Sequence, residues 1–229
     1  MAGKRRNSVK VWQNKANTVF CAVTGVTRPS VNRKTDDMLQ ATILSPEISP
    51  TDAKHTGGDS EYCGGEDNPC PMHSVCYVLE FQMPEQVWRA VHSDKPEPIP
   101  ASTKAIRLGA YGDPAFLPLS LLAELTRGKN YTGYTNQWRH GIDTEYARYC
   151  MASVTSLVDR AKAKKLGYRT YRALHENEVP AKGEVLCPYY TSSGKVKCLD
   201  CRLCSGLGSG AKDIVAPISG NKKGEVHSD

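Results

Sequence analysis

Seven of the nine cysteines in this chain stand in two groups whose spacing is typical of metal sites. The first group is Cys63, Cys70 and Cys76, and the second is Cys187, Cys198, Cys201 and Cys204. Thiols stay reduced in the cytoplasm, where clustered cysteines hold metal more often than they pair as disulfides. The two groups therefore predict two cysteine-built metal sites.

The C-terminal group, in "CPYYTSSGKVKCLDCRLC", has the pattern C-x10-C-x2-C-x2-C. Each C-x2-C step lets two thiolates reach one centre without strain, and four thiolates complete the tetrahedral shell of a zinc ion. The same ligands suit an iron–sulfur cluster. We expect a bound metal here, and the spacing leaves zinc and an iron–sulfur cluster equally open.

The N-terminal group, in "CGGEDNPCPMHSVC", has the pattern C-x6-C-x5-C, which lacks the close cysteine pairs of a zinc ribbon. His73 lies three residues from both Cys70 and Cys76 and could complete a closed zinc site. Without it, three thiolates leave a position open. A 4Fe–4S cluster held by three cysteines keeps one iron free for a small molecule, the arrangement used in radical chemistry with S-adenosylmethionine. We favour this open site over zinc; less favoured fourth ligands are Cys21 and Asp67.

The length and composition limit the classes of protein to which the chain can belong. A chain of 229 residues, 39% hydrophobic and 24% charged, suits one sizeable domain or a domain with a small module. No apolar run approaches the roughly 18 residues of a membrane span. The basic start of the chain leads into no apolar segment of the kind that secretory signals contain. We expect a cytoplasmic protein, in the host cell if a phage encodes it.

The net charge of +6 is concentrated at the two ends of the chain and along one predicted helix. That helix carries Arg160, Lys162, Lys164 and Lys165. Basic clusters bind phosphates and release counterions, so the arm and the helix could contact a nucleic acid or a nucleotide. A solvated face with two soluble tails is the alternative interpretation.

Strands and helices alternate through the middle of the chain. The composition predicts strands over 104–112, 130–136, 150–154, 168–174 and 183–190, and helices over 117–128, 143–150 and 155–167. This alternation indicates βα units and a parallel sheet. Earlier segments predict strands over 17–23, 38–44 and 76–81, a helix from residue 83, and a long loop over 45–62 that leads to Cys63.

We therefore predict an α/β fold: an open or partial βα barrel-like parallel sheet, irregular N-terminal strands and a small C-terminal four-cysteine metal module. The predicted parts are a basic arm (1–16), an α/β core with the three-cysteine site (17–183), the metal-binding module (184–219) and a flexible tail (220–229). Active sites on such folds gather at the carboxyl ends of the strands. There, "GAYGDP" carries Tyr111, Gly112 and Asp113.

Three stretches together resemble a family of cysteine-motif proteins found mainly in bacteriophages and mobile elements. They are "GDSEYCGGEDNPCPMHSVCYVLEF", "AIRLGAYGDPAF" and "CPYYTSSGKVKCLDCRLC…KDIVAPISG", and the likeness runs from about residue 17 to 219. This resemblance implies a phage-type metalloprotein but no particular activity.

A cysteine cluster ending in "CY", followed by a strand that ends in a Gly/Asp turn, is also loosely similar to radical S-adenosylmethionine enzymes. That similarity implies that Cys63, Cys70 and Cys76 hold a 4Fe–4S cluster, and that the loop at Gly112 and Asp113 contacts the methionine part of the cofactor. The chain departs from the usual C-x3-C-x2-C spacing of that superfamily. The second cysteine group would then resemble an auxiliary cluster or a zinc staple.

Two functional hypotheses follow. In the first, the chain is an iron–sulfur enzyme acting on a nucleotide, a nucleic acid or a peptide. Asp113 and Tyr111 would act at the reaction centre, with Tyr77 beside the cluster, and Arg107 and Arg139 would contact anionic groups. In the second, two zinc sites stabilise a basic protein that binds nucleic acid or a host protein without catalysis.

Overall fold

The computed structural model describes residues 6–64, 70–73, 76–175 and 177–218. It contains two five-stranded sheets, one mixed and one all-parallel. The coarse prediction of an α/β fold with a parallel sheet is therefore confirmed. The described residues form no closed barrel, because each sheet has two free edges.

The first sheet is mixed because its first strands form a meander and its later strands follow crossovers. Its order is β1 (Ser8–Gln13), β2 (Phe20–Thr24), β3 (Leu39–Leu44), β4 (Ile106–Tyr111) and β5 (Tyr131–Thr132). Strands β1 to β3 pair antiparallel, whereas β3 to β5 pair parallel. Every residue of β3 is buried, and four of its six side chains are apolar, as expected for a central strand covered on both faces.

The second sheet has the order β6 (Tyr134–Thr135), β7 (Met151–Val154), β8 (Thr170–Leu174), β10 (Asp213–Pro217) and β9 (Glu184–Leu186). A single residue, Gly133, separates β5 from β6, so the chain passes directly from one sheet to the other. A Cβ at this position would lie 2.6 Å from the carbonyl oxygen of Tyr149, and only glycine fits.

The helices lie between the strands and are short. They are α1 (Pro50–Thr56), α2 (Met83–Val91), α3 (Leu119–Thr126), α4 (Leu157–Lys165), α5 (Pro188–Thr191) and α6 (Cys198–Cys201). Ser49 caps α1 by accepting a hydrogen bond from the amide of Asp52, and Ser156 caps α4 by accepting one from Asp159. A π-helical turn covers Ser60–Gly64, and 3-10 turns cover Pro114–Phe116, Gln137–His140, Thr144–Arg148 and Gly206–Ser209.

Several segments differ from the sequence prediction. The described residues over 76–81 form coil and turn instead of a strand, and Tyr77, Leu79 and Phe81 point outward with no strand to pair with. The predicted loop 45–62 contains α1 and the start of the π-helical turn. The helix predicted over 143–150 is a 3-10 turn.

Two predicted parts of the chain contribute strands to the sheets. Residues 8–13 of the predicted basic arm form β1, and the segment predicted as a separate cysteine module supplies β9 and β10 to the parallel sheet. Residues 1–5 and 219–229, which include the predicted tail, lie outside the described residues. Within the described ranges, no helix has the length and apolar character to cross a membrane.

A buried ion network joins the C-terminal strands to α4. Arg172 donates two hydrogen bonds of 2.9 Å to Glu184, and both side chains have at most 1% exposure. Asp213 accepts from Arg160 at 2.8 Å, from Lys164 at 3.0 Å and from the amide of Thr170 at 3.0 Å. Because each buried charge has an opposite partner, strands β8, β9 and β10 are held in register beneath α4.

Candidate functional site: two cysteine clusters and a shared cavity

A cavity of about 300 Å³ opens at the carboxyl ends of the parallel strands. Its walls include Asp113 just after β4, Asn136 just after β6, Thr155 just after β7 and Ile218 just after β10. Parallel strands end at the same edge of a sheet, so residues distant in sequence converge there. The volume is at the lower limit of small-molecule pockets.

The three thiols of the N-terminal cysteine group all line this cavity. Cys63 lies in the π-helical turn at Ser60–Gly64, whereas Cys70 and Cys76 lie on irregular backbone. Burial, followed by the charges of Cys70 and Cys76, raises the pKa of the Cys63 thiol well above its usual value. Burial raises the pKa of Cys70 to about 11, with Asp113 and Cys76 adding to it. The three thiols therefore line one cavity, and a neighbouring cysteine contributes to the pKa rise of both Cys63 and Cys70.

His73, the predicted fourth ligand, is held by other partners. Its Nε2 lies 2.8 Å from Oδ2 of Asp59, a carboxylate whose side chain is 3% exposed. The backbone carbonyl of His73 accepts a hydrogen bond from Lys54. One ring nitrogen is thus occupied, as in the histidine–carboxylate pairs that orient metal ligands. Of the two less favoured ligands, Cys21 is buried in β2 and Asp67 lies outside the described residues.

The turn after β4 closes tightly against the segment that carries Cys63. Gly112 has a φ of +76°, and a Cβ there would lie 2.7 Å from the carbonyl oxygen of Ile43 in β3. The next amide, of Asp113, donates to the carbonyl of Tyr62 at 2.7 Å. Because no side chain fits at Gly112, this backbone packs directly beside the residue preceding Cys63.

The carboxylate of Asp113 is buried and accepts backbone hydrogen bonds. Its Oδ1 accepts from Ala115 at 3.0 Å and its Oδ2 from Asn136 at 2.6 Å. Burial raises the pKa of Asp113, and these hydrogen bonds oppose the rise. Asp113 thereby ties the end of β4 to the end of β6, on the wall of the cavity.

The ring of Tyr111 lies 5.9 Å from that of Tyr62, and both phenols are mostly buried behind the cysteine cluster. Burial, followed by the nearby Tyr62 and Cys63, raises the pKa of Tyr111. Tyr111 is therefore a neutral phenol at neutral pH, and it lines the cavity.

The two predicted arginines behave differently. Arg139 is engaged, since its Nη2 binds Asp159 at 2.7 Å and its Nη1 donates to the carbonyl of Ser153 at 3.1 Å. Arg107 lines the cavity, where it donates one hydrogen bond to the phenol of Tyr77. The Nε of Arg107 is buried and has no hydrogen-bond partner among the described residues. Of the two arginines, Arg107 is therefore the one that lines the cavity and has a buried donor without a described partner.

The four thiols of the C-terminal group surround a second, much smaller cavity of about 10 Å³. Cys187 precedes α5, Cys198 and Cys201 begin and end α6, and Cys204 follows. Burial, opposed by a hydrogen bond with Tyr134, raises the pKa of Cys204 to about 12, and the other three thiols add to the rise. The four thiols are therefore neighbours around a space of about the size of one water molecule.

Backbone hydrogen bonds fix this second cluster to both sheets. The amide of Cys187 donates to Val215 in β10 at 2.8 Å, and Gly133 donates to the carbonyl of Cys204 at 3.1 Å. The amide of Cys198 donates to the carbonyl of Lys34 at 2.9 Å, in the loop between β2 and β3. The cluster thus lies where the two sheets meet, and Cys198 also lines the large cavity.

Thiols are the donor type that both zinc and iron–sulfur clusters take, so the chemistry of both cysteine groups fits such a group. Among the described side chains, no set of three or more His, Cys, Asp or Glu residues is arranged to hold a metal ion. Comparison of the chain with protein-family models, curated proteins and solved structures finds no match. The site is therefore interpreted from its own residues.

Sequence reasoning missed one residue of the cavity wall, Lys34. It lies in a polar segment between β2 and β3, far in sequence from both cysteine groups. Its Nζ lies 4.8 Å from the ring centroid of Tyr190 and 3.4 Å from the phenol oxygen of Tyr171. A lysine in a loop carries no periodic or motif signal, so only the folded chain reveals its position.

Proposed function

We propose that this chain is an iron–sulfur enzyme of radical S-adenosylmethionine type. In this proposal Cys63, Cys70 and Cys76 hold a 4Fe–4S cluster, and the C-terminal cysteines hold a second metal group that stabilises the fold. When bound, a cluster held by three thiolates offers one open iron and a source of single electrons for cleaving a small cofactor. The supporting observation is that all three of these thiols, together with Cys198 of the C-terminal group, line the cavity of about 300 Å³ at the ends of the parallel strands.

In this proposal the site stays open because His73, whose Nε2 lies 2.8 Å from Oδ2 of Asp59, is not a ligand. The buried rings of Tyr62 and Tyr111 lie side by side, with centroids 5.9 Å apart, and both phenols stay protonated because burial raises their pKa values. A thiolate cluster in such surroundings is shielded from water, which protects iron and sulfide from oxidation and hydrolysis.

The turn at Gly112 and Asp113 is proposed to shape the cofactor pocket through its backbone. Asp113 acts as a positioning residue, because its two oxygens bind the amides of Ala115 and Asn136 and so fix the cavity rim. An amino group of a bound cofactor could donate a further hydrogen bond to the Asp113 carboxylate, whose orientation the two backbone amides already fix. In this proposal Tyr111 acts at the reaction centre and Arg107 contacts an anionic group. Arg139 has a supporting role, because it binds Asp159.

The finer architecture belongs to the same proposal. The two open sheets, linked at Gly133, would form the two halves of a partial βα barrel with the cavity on its inner side. The cysteines from 187 to 204 would form a metal staple at the join between the halves. The bonds from Cys198 to Lys34 and from Gly133 to Cys204 support this reading, because they tie the segment to both sheets.

The test is anaerobic purification followed by iron, sulfide and zinc analysis and an absorption spectrum. The wild type is compared with Cys63→Ala/Cys70→Ala/Cys76→Ala, and a matched control replaces the two lone cysteines, Cys21→Ala/Cys150→Ala. We expect brown wild-type protein and control, and loss of one cluster's iron and visible absorption in the triple variant. With dithionite as electron donor, the wild type should convert S-adenosylmethionine to methionine and 5′-deoxyadenosine.

Colourless protein containing only zinc would overturn the enzyme proposal. The working function would then be a zinc-stapled protein that binds nucleic acid or a host protein. In that alternative, only part of the positive charge of helix α4 is available to a nucleic acid, because Arg160 and Lys164 bind Asp213. The exposed lysines of α4, Lys162 and Lys165, would then carry the contact.

A further inference from the structure

The cavity between the two cysteine clusters carries two positive side chains on its wall, Lys34 and Arg107. Several other half-buried or buried cations of the described chain have carboxylate partners. Arg139 pairs with Asp159, Arg160 with Asp213, and Arg172 with Glu184. Lys34 and Arg107 line the cavity, and no described carboxylate forms an ion pair with either.

The surroundings of Lys34 are phenols and thiols. Its ammonium faces the rings of Tyr171, Tyr189 and Tyr190 at 4.8 to 5.8 Å. These rings stabilise a cation through their electron-rich faces. The phenol of Tyr171 also contacts Nζ, at 3.4 Å, which leaves further N–H donors of the ammonium available.

The guanidinium of Arg107 reaches the cavity from β4. Its Nη2 donates to Tyr77, the residue after Cys76, while its buried Nε has no partner among the described atoms. A buried guanidinium with an unsatisfied donor is costly unless an acceptor reaches it. Arginine also presents its donors as a fork that matches two oxygens of a carboxylate or phosphate.

We propose that Lys34 and Arg107 together bind an oxyanion, and that the substrate of this protein is a small molecule bearing a phosphate or a carboxylate. The oxyanion would complete the donors of Arg107 and neutralise Lys34, while the tyrosine rings face the remainder of the molecule. This inference rests on the proposed function in one respect, because it takes the cavity to be the place where the substrate reacts. The cavity volume of about 300 Å³ favours a small molecule or an end group.

Isothermal titration calorimetry at low ionic strength tests the proposal on the anaerobically purified, metal-containing protein. The probes are inorganic pyrophosphate for a phosphate source and glutarate for a carboxylate source, with sodium chloride at matched ionic strength as the blank. We expect the wild type to bind one of the two probes at one site per chain. The probe that binds identifies the source.

Three variants locate the site: Lys34→Met, Arg107→Met and the conservative Arg107→Lys. Each Met variant should weaken binding by about tenfold or more, because a charge-assisted hydrogen bond is lost. Arg107→Lys should recover part of the affinity. The control Lys162→Met, at an exposed lysine of α4, should bind like the wild type.

The failures of the two proposals are distinguishable. Absence of binding by both probes, or unchanged affinity in both Met variants, overturns the oxyanion site whatever metal is present. The oxyanion site is also overturned if neither probe binds the wild type and the Met variants lose metal. Lys34 and Arg107 would then serve to balance the charge of the thiolates. If the protein contains zinc in place of iron but still binds a probe through Lys34 and Arg107, the enzyme proposal is rejected and the oxyanion site is retained.

Discussion

The two cysteine clusters differ in the space that they face and in the backbone that carries them. The N-terminal cluster, Cys63, Cys70 and Cys76, lies on a π-helical turn and irregular segments and faces a cavity of about 300 Å³. The C-terminal cluster of four cysteines surrounds about 10 Å³ and hydrogen-bonds to both sheets. A site with three thiols and an open cavity can admit a substrate, whereas a site with four thiols and no room can only stabilise. This difference supports the proposal that the first cluster is reactive and that the second stabilises the fold.

The largest expected effect is on stability at the C-terminal cluster. Replacing Cys198→Ala/Cys201→Ala should lower the melting temperature by about 10 °C or more. A structural metal contributes several kcal/mol, and each kcal/mol corresponds to about 2–4 °C in a chain of this size. Circular dichroism melting checks this, with Cys63→Ala/Cys70→Ala as the matched pair at the other cluster. The assignment fails if the two double variants melt at the same temperature.

A smaller effect is expected from the buried ion pair that supports the C-terminal cluster. Glu184→Gln leaves Arg172 buried beside a neutral partner, and we expect a loss of about 3–5 kcal/mol in the free energy of unfolding. Urea unfolding at pH 7 measures this loss. The control is Glu145→Gln, at an exposed pair 3.8 Å long, where a change below about 1 kcal/mol is expected.

The same pair predicts the direction of the pH dependence. Burial alone would raise the pKa of Glu184, but hydrogen bonds from Arg172 and the amide of Ala181 lower it overall. Burial would likewise raise the pKa of Asp213, but hydrogen bonds from the amide of Thr170 and from the side chains of Lys164 and Arg160 lower this pKa overall. A carboxyl whose pKa is lower in the folded state binds protons more readily when unfolded. The contribution of Glu184 to stability is thus present above a pH of about 4.3 and is lost as the pH falls below it, so the wild type should lose more stability than Glu184→Gln between about pH 4.5 and about pH 2.5.

The smallest effect is expected at His73. If the N-terminal cluster is open, His73→Gln should leave its iron content within experimental error and change only the contact with Asp59. Metal analysis beside the wild type checks this. Complete loss of metal from this cluster in His73→Gln would instead mean that the histidine is a ligand, and the two clusters would then both be closed four-ligand sites.

Much of the fold was readable from local patterns. The strands β2, β3, β4, β7, β8, β9 and β10 and the helices α2, α3 and α4 all fall within or beside segments whose composition predicts them. Which face of α4 is buried could not be predicted in this way. Leu157 and Val158 are 49% and 62% exposed, because the helix packs through Ala163 and through the ion pairs of Arg160. Apolar spacing alone could not reveal that ion pairs would orient the helix.

The sequence by itself determined the two cysteine groups, the parallel βα character and the turn at Gly112 and Asp113, because spacing and composition act over a few residues. The folded chain alone shows that the first group faces a large cavity, that the second group joins two sheets, and that Lys34 and Arg107 line the same cavity. Those facts depend on strands and loops distant in sequence converging at one edge of the sheets. Burial and missing counter-charges arise only after that convergence, so they leave no pattern along the chain.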